Sequence, residues 1–401
     1  MRRLYCLILV VCIAAALGSA PSPAQAQESS TLLSMLRFIP DTPEYNGAVT
    51  FGDIAAWKTS WNMPPISTYA DVEGLDKYQR LYWLNILPRQ TLPPPILSYL
   101  PKGDVQDTFG FDVQNVDRFA VSGGGQQTLM LIEHATTTQA IASKLEKIDY
   151  TAQDMQWGQL YSYGDRFFAL NNIWLLPQNR LLVSSEIDTI GLSNAALNKQ
   201  IPSLADNPDY QAVAAFLEDE SLTNLGELTM AVFINGDNLS AAGTSLVLKP
   251  GTIPAKAQAE IERITQGWLP LSPYDLAVFG TFHGSGYSYQ VVLLSYSTNV
   301  NAKLQADSVM ARIQELKPDF LPKKYMEYYE LDAYATFELE AQDKRAAVVV
   351  LRAADPPLEF PSGSLNPPNS VPTRVPTWEE ILLKYEYGFL AVTDDGVNTP
   401  T

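Results

Sequence analysis

Five carboxylates lie in or beside segments that read as strands: Glu133, Glu227, Asp275, Glu338 and Glu340. Two acids facing each other across a cleft are enough for glycoside hydrolysis, one protonating the leaving group and the other activating water or attacking. Nothing in their spacing selects a pair. Glu338 and Glu340 alternate, which a solvated sheet face also explains. Nucleophilic devices are scarcer. The chain has no Gly-x-Ser-x-Gly elbow and no Ser-x-x-Lys pair. His134 and His283 are its two histidines, and His283-Gly284-Ser285-Gly286 sets an imidazole beside a serine in what reads as a turn. Sequence neighbours seldom reach triad geometry.

Two distant histidines do not make a zinc site by local spacing. Asp104, Asp107, Asp112, Asn115 and Asp117 cluster oxygen donors, but not in the register of a calcium loop, and they read as solvated turn acids. Asn235-Gly236-Asp237-Asn238 reads the same way. Gly123-Gly124-Gly125-Gln126 lacks the Lys-Ser/Thr ending of a phosphate loop and leads into a strand, so it reads as a hairpin turn. No catalytic, cofactor-binding or metal-binding residue is assigned, and no cofactor is implied. The formal charge of −17 disfavours nucleic acid as a partner. Twenty tyrosines and seven tryptophans favour a protein or glycan partner met through aromatic surfaces. Clusters fall at Trp157, Tyr161, Tyr163; at Tyr325, Tyr328, Tyr329, Tyr334; and at Tyr385, Tyr387. Asn238-Leu239-Ser240 is a glycosylation sequon.

The N-terminus reads as an export signal over residues 1–26. Arg2 and Arg3 precede an apolar run from Leu4 to Leu17, and Ala24-Gln25-Ala26 has small-x-small cleavage character. That run is shorter than the roughly 20 residues of a membrane span. Cleavage after Ala26 would remove both cysteines, Cys6 and Cys12, and two arginines, moving the formal charge to −19. The expected product is secreted or periplasmic, free of cysteine and without a transmembrane segment.

Residues 27–110 read as a mainly helical section with an early strand at Ala48–Phe51, a helix over Ile54–Trp61 and another on the Leu75, Tyr78, Leu81, Tyr82 face. From residue 111 a pattern occurs twice. Asp117–Gly123 and Thr128–Glu133 read as strands, followed by a helix carrying Ile141, Leu145 and Ile148, then strands at Gln159–Tyr163, Phe167–Leu170 and Arg180–Ser184. Tyr274–Gly280, Tyr289–Ser295, a helix with Leu304, Val309 and Ile313, and strands at Tyr334–Leu339 and Ala346–Leu351 repeat it. Ala120-Val121-x-Gly123 matches Ala277-Val278-x-Gly280. The fold expected is therefore α+β: two diverged β-β-α-β-β repeats, residues 111–225 and 226–354, with helices packed on sheet faces. Between the copies, helices follow Asn207-Pro208-Asp209 and Ile253-Pro254, and a strand covers Glu227–Ile234. Residues 355–376 carry seven prolines and read as a linker or strap. Residues 377–401 hold enough apolar side chains to dock back.

The layout resembles exported bacterial proteins that carry domains of unknown function. The resemblance rests on Arg37-Phe38-Ile39-Pro40-Asp41-Thr42-Pro43, on Phe109-Gly110-Phe111-Asp112 and on Leu204-Ala205-Asp206-Asn207-Pro208. It implies no activity. The expected role is non-catalytic binding or envelope assembly; the alternative is an exported carboxylate hydrolase acting on polysaccharide.

Overall fold

A short helix precedes the first of the two strands at the centre of the sheet. Ser30 caps α1 (Thr31–Leu36) by accepting from the Leu33 amide at 3.3 Å, and Leu32, Leu33, Met35 and Leu36 are buried. β1 (Ala48–Asp53) follows and runs directly into α2 (Ile54–Ser60), because the Asp53 carboxylate accepts from the Ala56 amide at 2.8 Å. The structure is a computed structural model. It describes residues 30–61, 63, 66, 69–75, 80, 109–124, 127–164, 171–236, 267–284, 286–297, 299–317, 322–328, 334–354 and 388–390. The export signal, the Phe167–Leu170 strand, the Asn238 sequon, Asp104 and Asp107, the proline-rich stretch and nearly all of the helices expected after Leu75 and Ile253 lie outside these residues.

The first half continues with β2 (Val116–Ser122), β3 (Leu129–His134), α4 (Thr138–Lys147), β4 (Thr151–Met155), β5 (Gly158–Ser162), β6 (Asn172–Leu176) and β7 (Arg180–Ser184), after the short α3 (Tyr69–Glu73). Three helices intervene: α5 (Ile187–Leu197), α6 (Pro208–Leu217) and α7 (Glu220–Thr223). The second half is β8 (Glu227–Asn235), β9 (Leu276–Gly284), β10 (Tyr287–Ser297), α8 (Ala302–Glu315), β11 (Tyr334–Ala341) and β12 (Lys344–Ala354). Gln342 and Asp343 both take positive φ, 51° and 60°, which is the two-residue turn that matches strand twist and closes the β11–β12 hairpin.

Among the described residues all twelve strands form one antiparallel sheet, in the order β11-β12-β10-β9-β8-β1-β2-β3-β7-β6-β5-β4. The fold is α+β. Outward from the central β1–β8 pair, one half reads β1-β2-β3-β7-β6 and the other β8-β9-β10-β12-β11, the same order. The β4–β5 hairpin is extra, inserted at the first half's edge. The residue pattern leaves Ala48–Phe51 outside both repeats and Glu227–Ile234 outside the matched β-β-α-β-β elements. The register Val49↔Phe233 and Phe51↔Ala231 instead makes them the seam that joins the halves.

Period-two alternation sends side chains to two faces. One face carries a continuous core across both halves, from Leu160 and Leu182 through Val49, Phe51 and Phe233 to Leu293 and Val348, covered by α1 and α6. The other face holds two separate cores. Ile54, Trp57, Phe119, Ile141 and Leu145 pack under α2 and α4. Phe279, Val292, Val309 and Ile313 pack under α8. Helices therefore lie on both faces. Gly52 is required at the seam: a Cβ there would sit 2.2 Å from Phe119 Cε1, whose ring crosses the strand at that point. Phe389 and Leu390 of the Gly388–Leu390 turn are fully buried in the core under α8. Among the described residues no helix is long and apolar enough to cross a membrane.

Candidate functional site

Three of the five strand-borne acids, Glu133, Asp275 and Glu340, are engaged by cations. Asp53, Arg118, Glu133 and Arg180 stand directly opposite one another on β1, β2, β3 and β7. Arg118 reaches Asp53 at 2.7 Å and Glu133 at 3.0 Å, and Arg180 holds the other oxygen of Glu133. This ladder closes one end of the continuous core. A second polar row closes the corresponding end of the other half. Lys344 on β12 binds Asp275 at 2.8 Å and Asp209 of α6 at 2.6 Å, with Ser297 of β10 on Asp275 at 3.1 Å. Glu340 pairs with Arg345 at 2.6 Å on the exposed edge strand, and Glu338 is exposed beside it. The five acids singled out by sequence thus go to different ends and edges of the sheet.

Glu227 has a different setting. It lies opposite His283, which lies opposite Ser288, in one row across β8, β9 and β10. Ser288 Oγ is 3.0 Å from His283 Nδ1, and the edge of Trp61 meets the imidazole at 5.4 Å. Beside the row, Thr281 Oγ1 donates to Gln290 at 3.3 Å and Thr229 Oγ1 to the Thr281 carbonyl at 3.2 Å. A hydroxyl, an imidazole and a carboxylate in one line are the residue types of a nucleophile, its base and an orienting acid. His283 bonds Ser288 across the hairpin, whereas Ser285 lies outside the described residues. Sequence inspection missed Ser288 because the pairing depends on strand register. The only available signal was two strands flanking a tight Gly turn. His283 is just 4% exposed, so the ring works as a bonded member of a polar seam beneath Trp61.

His134 has a different environment. It stacks on Phe111 at 6.1 Å, neither ring nitrogen makes a hydrogen bond of ordinary geometry, and burial pushes its pKa down to about 4. It is a neutral core residue. Asp112 is buried, and burial pushes its carboxyl upward; burial does the same to Asp117, which faces Lys58. Lys58 Nζ donates to the Gln114 carbonyl at 2.6 Å, and burial lowers its pKa. Among the described residues no three His, Cys, Asp or Glu side chains gather as metal ligands. Tyr161 and Tyr325 are core residues, Trp157 packs edge-on against Trp174 at 4.6 Å, and Tyr334 is exposed.

Two motifs distant in sequence meet. The Asp41 amide donates to the Pro202 carbonyl at 3.1 Å and the Leu204 amide to the Ile39 carbonyl at 2.9 Å, a small bridge centred on Pro40 and Ser203. Asp41 then accepts from the side-chain amides of Asn207 at 2.9 Å and Asn46 at 3.1 Å. Asn207 also caps α6 through the Asp209 amide. Both Asp41 oxygens have amide donors, so this junction is a clasp between chain segments.

No protein-family model matches the chain, and no curated protein matches it. Three crystal forms of TP0453, a Treponema pallidum protein, align with it at 7–8% identity. The alignments cover 79–80% of this chain and 92–95% of theirs, with TM-scores of 0.32, 0.34 and 0.33. The chain is thus distantly similar in structure to TP0453, at a level that carries no functional argument.

Proposed function

We propose that the chain is exported, loses residues 1–26, and acts outside the cytoplasm as a non-catalytic binding or assembly protein of the cell envelope. One observation carries the reading: three of the five strand acids are held by guanidinium or ammonium groups, Glu133 by two arginines, Asp275 by Lys344 and Glu340 by Arg345. A carboxylate so held has its oxygens engaged by N–H donors of the cation rather than turned to a substrate. The surface offered to a partner is the β4 edge. Thr151, Ala152, Gln153 and Asp154 are exposed, and the strand carries neither proline nor lysine to discourage pairing. Its occupant is an extended segment of an envelope partner, added as a further strand.

The test is co-purification of tagged full-length chain from gently solubilised envelope. A stoichiometric partner that is lost in Ala152→Pro, with the melting temperature held, supports the reading. A lone monomer, or a partner indifferent to that substitution, counts against it.

We also propose that the halves arose by duplication of one unit. The matching strand order supports it, as do Gly52-Asp53 and Gly236-Asp237 at the ends of the two central strands. The unit is then β-β-β-α-β-β, one strand longer than the sequence pattern indicates, with residues 27–47 and 355–401 as additions.

A second reading is hydrolysis through the Ser288–His283–Glu227 row, favoured by the 3.0 Å serine–imidazole contact. Labelling by a fluorophosphonate probe that disappears in Ser288→Ala supports it. Absence of labelling on folded protein removes it.

A further inference from the structure

The two halves pack their long helices differently. In the first, Phe109 and Phe111, just upstream of β2, are fully buried in the core that holds Ile141 and Leu145 of α4. In the second, Leu271 and Tyr274 upstream of β9 supply part of that packing. Phe389 and Leu390 supply more, and residues 355–387 separate them from the last strand. The second half therefore uses a plug from far along the chain.

The plug is recognised in detail. Phe389 meets Phe279 edge to face at 6.4 Å, and its carbonyl accepts from Arg312 Nη1 at 3.1 Å. The Tyr274 hydroxyl donates to the Leu390 carbonyl at 3.0 Å. Arg312 is itself fully buried on α8, donating to the Leu269 carbonyl at 3.1 and 2.6 Å and lying over Trp268 at 5.4 Å. The slot thus reads two main-chain carbonyls and two apolar side chains. Those contacts carry no mark of which chain supplies them.

The length of chain between β12 and the turn permits either source. Residues 355–387 include Pro356, Pro357, Pro361, Pro367, Pro368, Pro372 and Pro376. A stretch of that length reaches on the order of 100 Å when extended. A folded chain of this size is roughly 50 Å across.

We propose that the Gly388–Leu390 turn is an exchangeable anchor, and that the slot between α8 and β9 accepts the Phe389–Leu390 turn of a second copy. Reciprocal exchange closes a dimer, and one-way exchange builds open chains. The chain's own turn wins in dilute solution through its high effective concentration, and exchange gains as copies are crowded together.

The test is sedimentation velocity of the full mature chain over a wide concentration range. The expected result is a monomer that converts to larger species on concentration. Those species are lost in Phe389→Ser/Leu390→Ser and dispersed by excess peptide of residues 384–394 added to the wild-type chain. The peptide arm needs no variant to fold. A wild-type chain that stays monomeric throughout, or oligomers that ignore both the substitution and the peptide, overturns the proposal. Loss of a foreign envelope partner in Ala152→Pro is read on a different surface, so the two proposals fail separately.

Discussion

Arg118 donates to Asp53 at 2.7 Å across adjacent strands, and the other oxygen of that carboxylate caps α2 through the Ala56 amide. One acid therefore both starts a helix and begins the charged row that continues through Glu133 to Arg180. Alternating signs in cross-strand register favour each neighbour. Partial burial makes loss of an inner member, Arg118 or Glu133, costly, because its two like-charged neighbours are left without the charge between them.

Glu133→Gln keeps the shape of the side chain and removes the charge between the two arginines. The expected cost is about 2 kcal/mol, below the figure for fully buried pairs because Arg118 is 34% exposed. Urea unfolding reads it as a lower midpoint at unchanged slope. An unchanged midpoint would show the ladder to be energetically idle.

Gly52→Ala drives a methyl group into the Phe119 ring. A loss of about 2 kcal/mol is expected from overpacking. Phe119→Leu on the same background should recover part of it, since neighbours couple. Thermal melts of the two single variants and the double close the cycle.

His134 gives the stability a pH dependence of known sign. Its folded pKa is about 4, against 6.5 for the unperturbed ring, because burial disfavours the imidazolium. As pH falls through 6.5 the unfolded chain takes up a proton that the native chain refuses. Stability present above that pH is lost progressively down to about pH 4. His134→Phe preserves stacking on Phe111 and should flatten this slope. Denaturation midpoints of both proteins between pH 7 and pH 4 measure the difference, and parallel curves would contradict the account.

Asn207→Ala removes the cap of α6 and one of the two amides on Asp41. Together these are worth about 2 kcal/mol. Hydrogen exchange should show faster opening around Pro202–Leu204 as well as at the start of α6, because the clasp joins both.

The strands that were legible in the residues are those with a strong local signal. Ala120-Val121 and Ala277-Val278 belong to apolar runs bounded by glycine, and they lie in β2 and β9, though β9 continues past Gly280 to Gly284. The start of α6 was visible in Asn207-Pro208-Asp209. Less legible was β4, whose Thr-Ala-Gln-Asp-Met run has no buried face to produce alternation. α5 was also missed: its Ile187–Leu197 run has buried positions at Thr189, Ile190, Ser193 and Ala196, two of them polar. The candidate site was least visible. Ser288 and Glu227 flank His283 only because three strands come into register, and no spacing along the chain encodes that.

What the residues determined by themselves was local: where strands and helices start and stop, which faces are apolar, and that the chain is α+β. Tertiary structure decided the rest through contacts between residues far apart in sequence. It put β1 against β8 and so made one sheet of two halves, and it matched Arg118 to Asp53 and Glu133. It also carried Phe389 back to a slot beside Arg312. Local sequence sets the periodicity of an element, but the choice of partner depends on which apolar faces and buried charges can be satisfied together, and that is settled only when the whole chain packs.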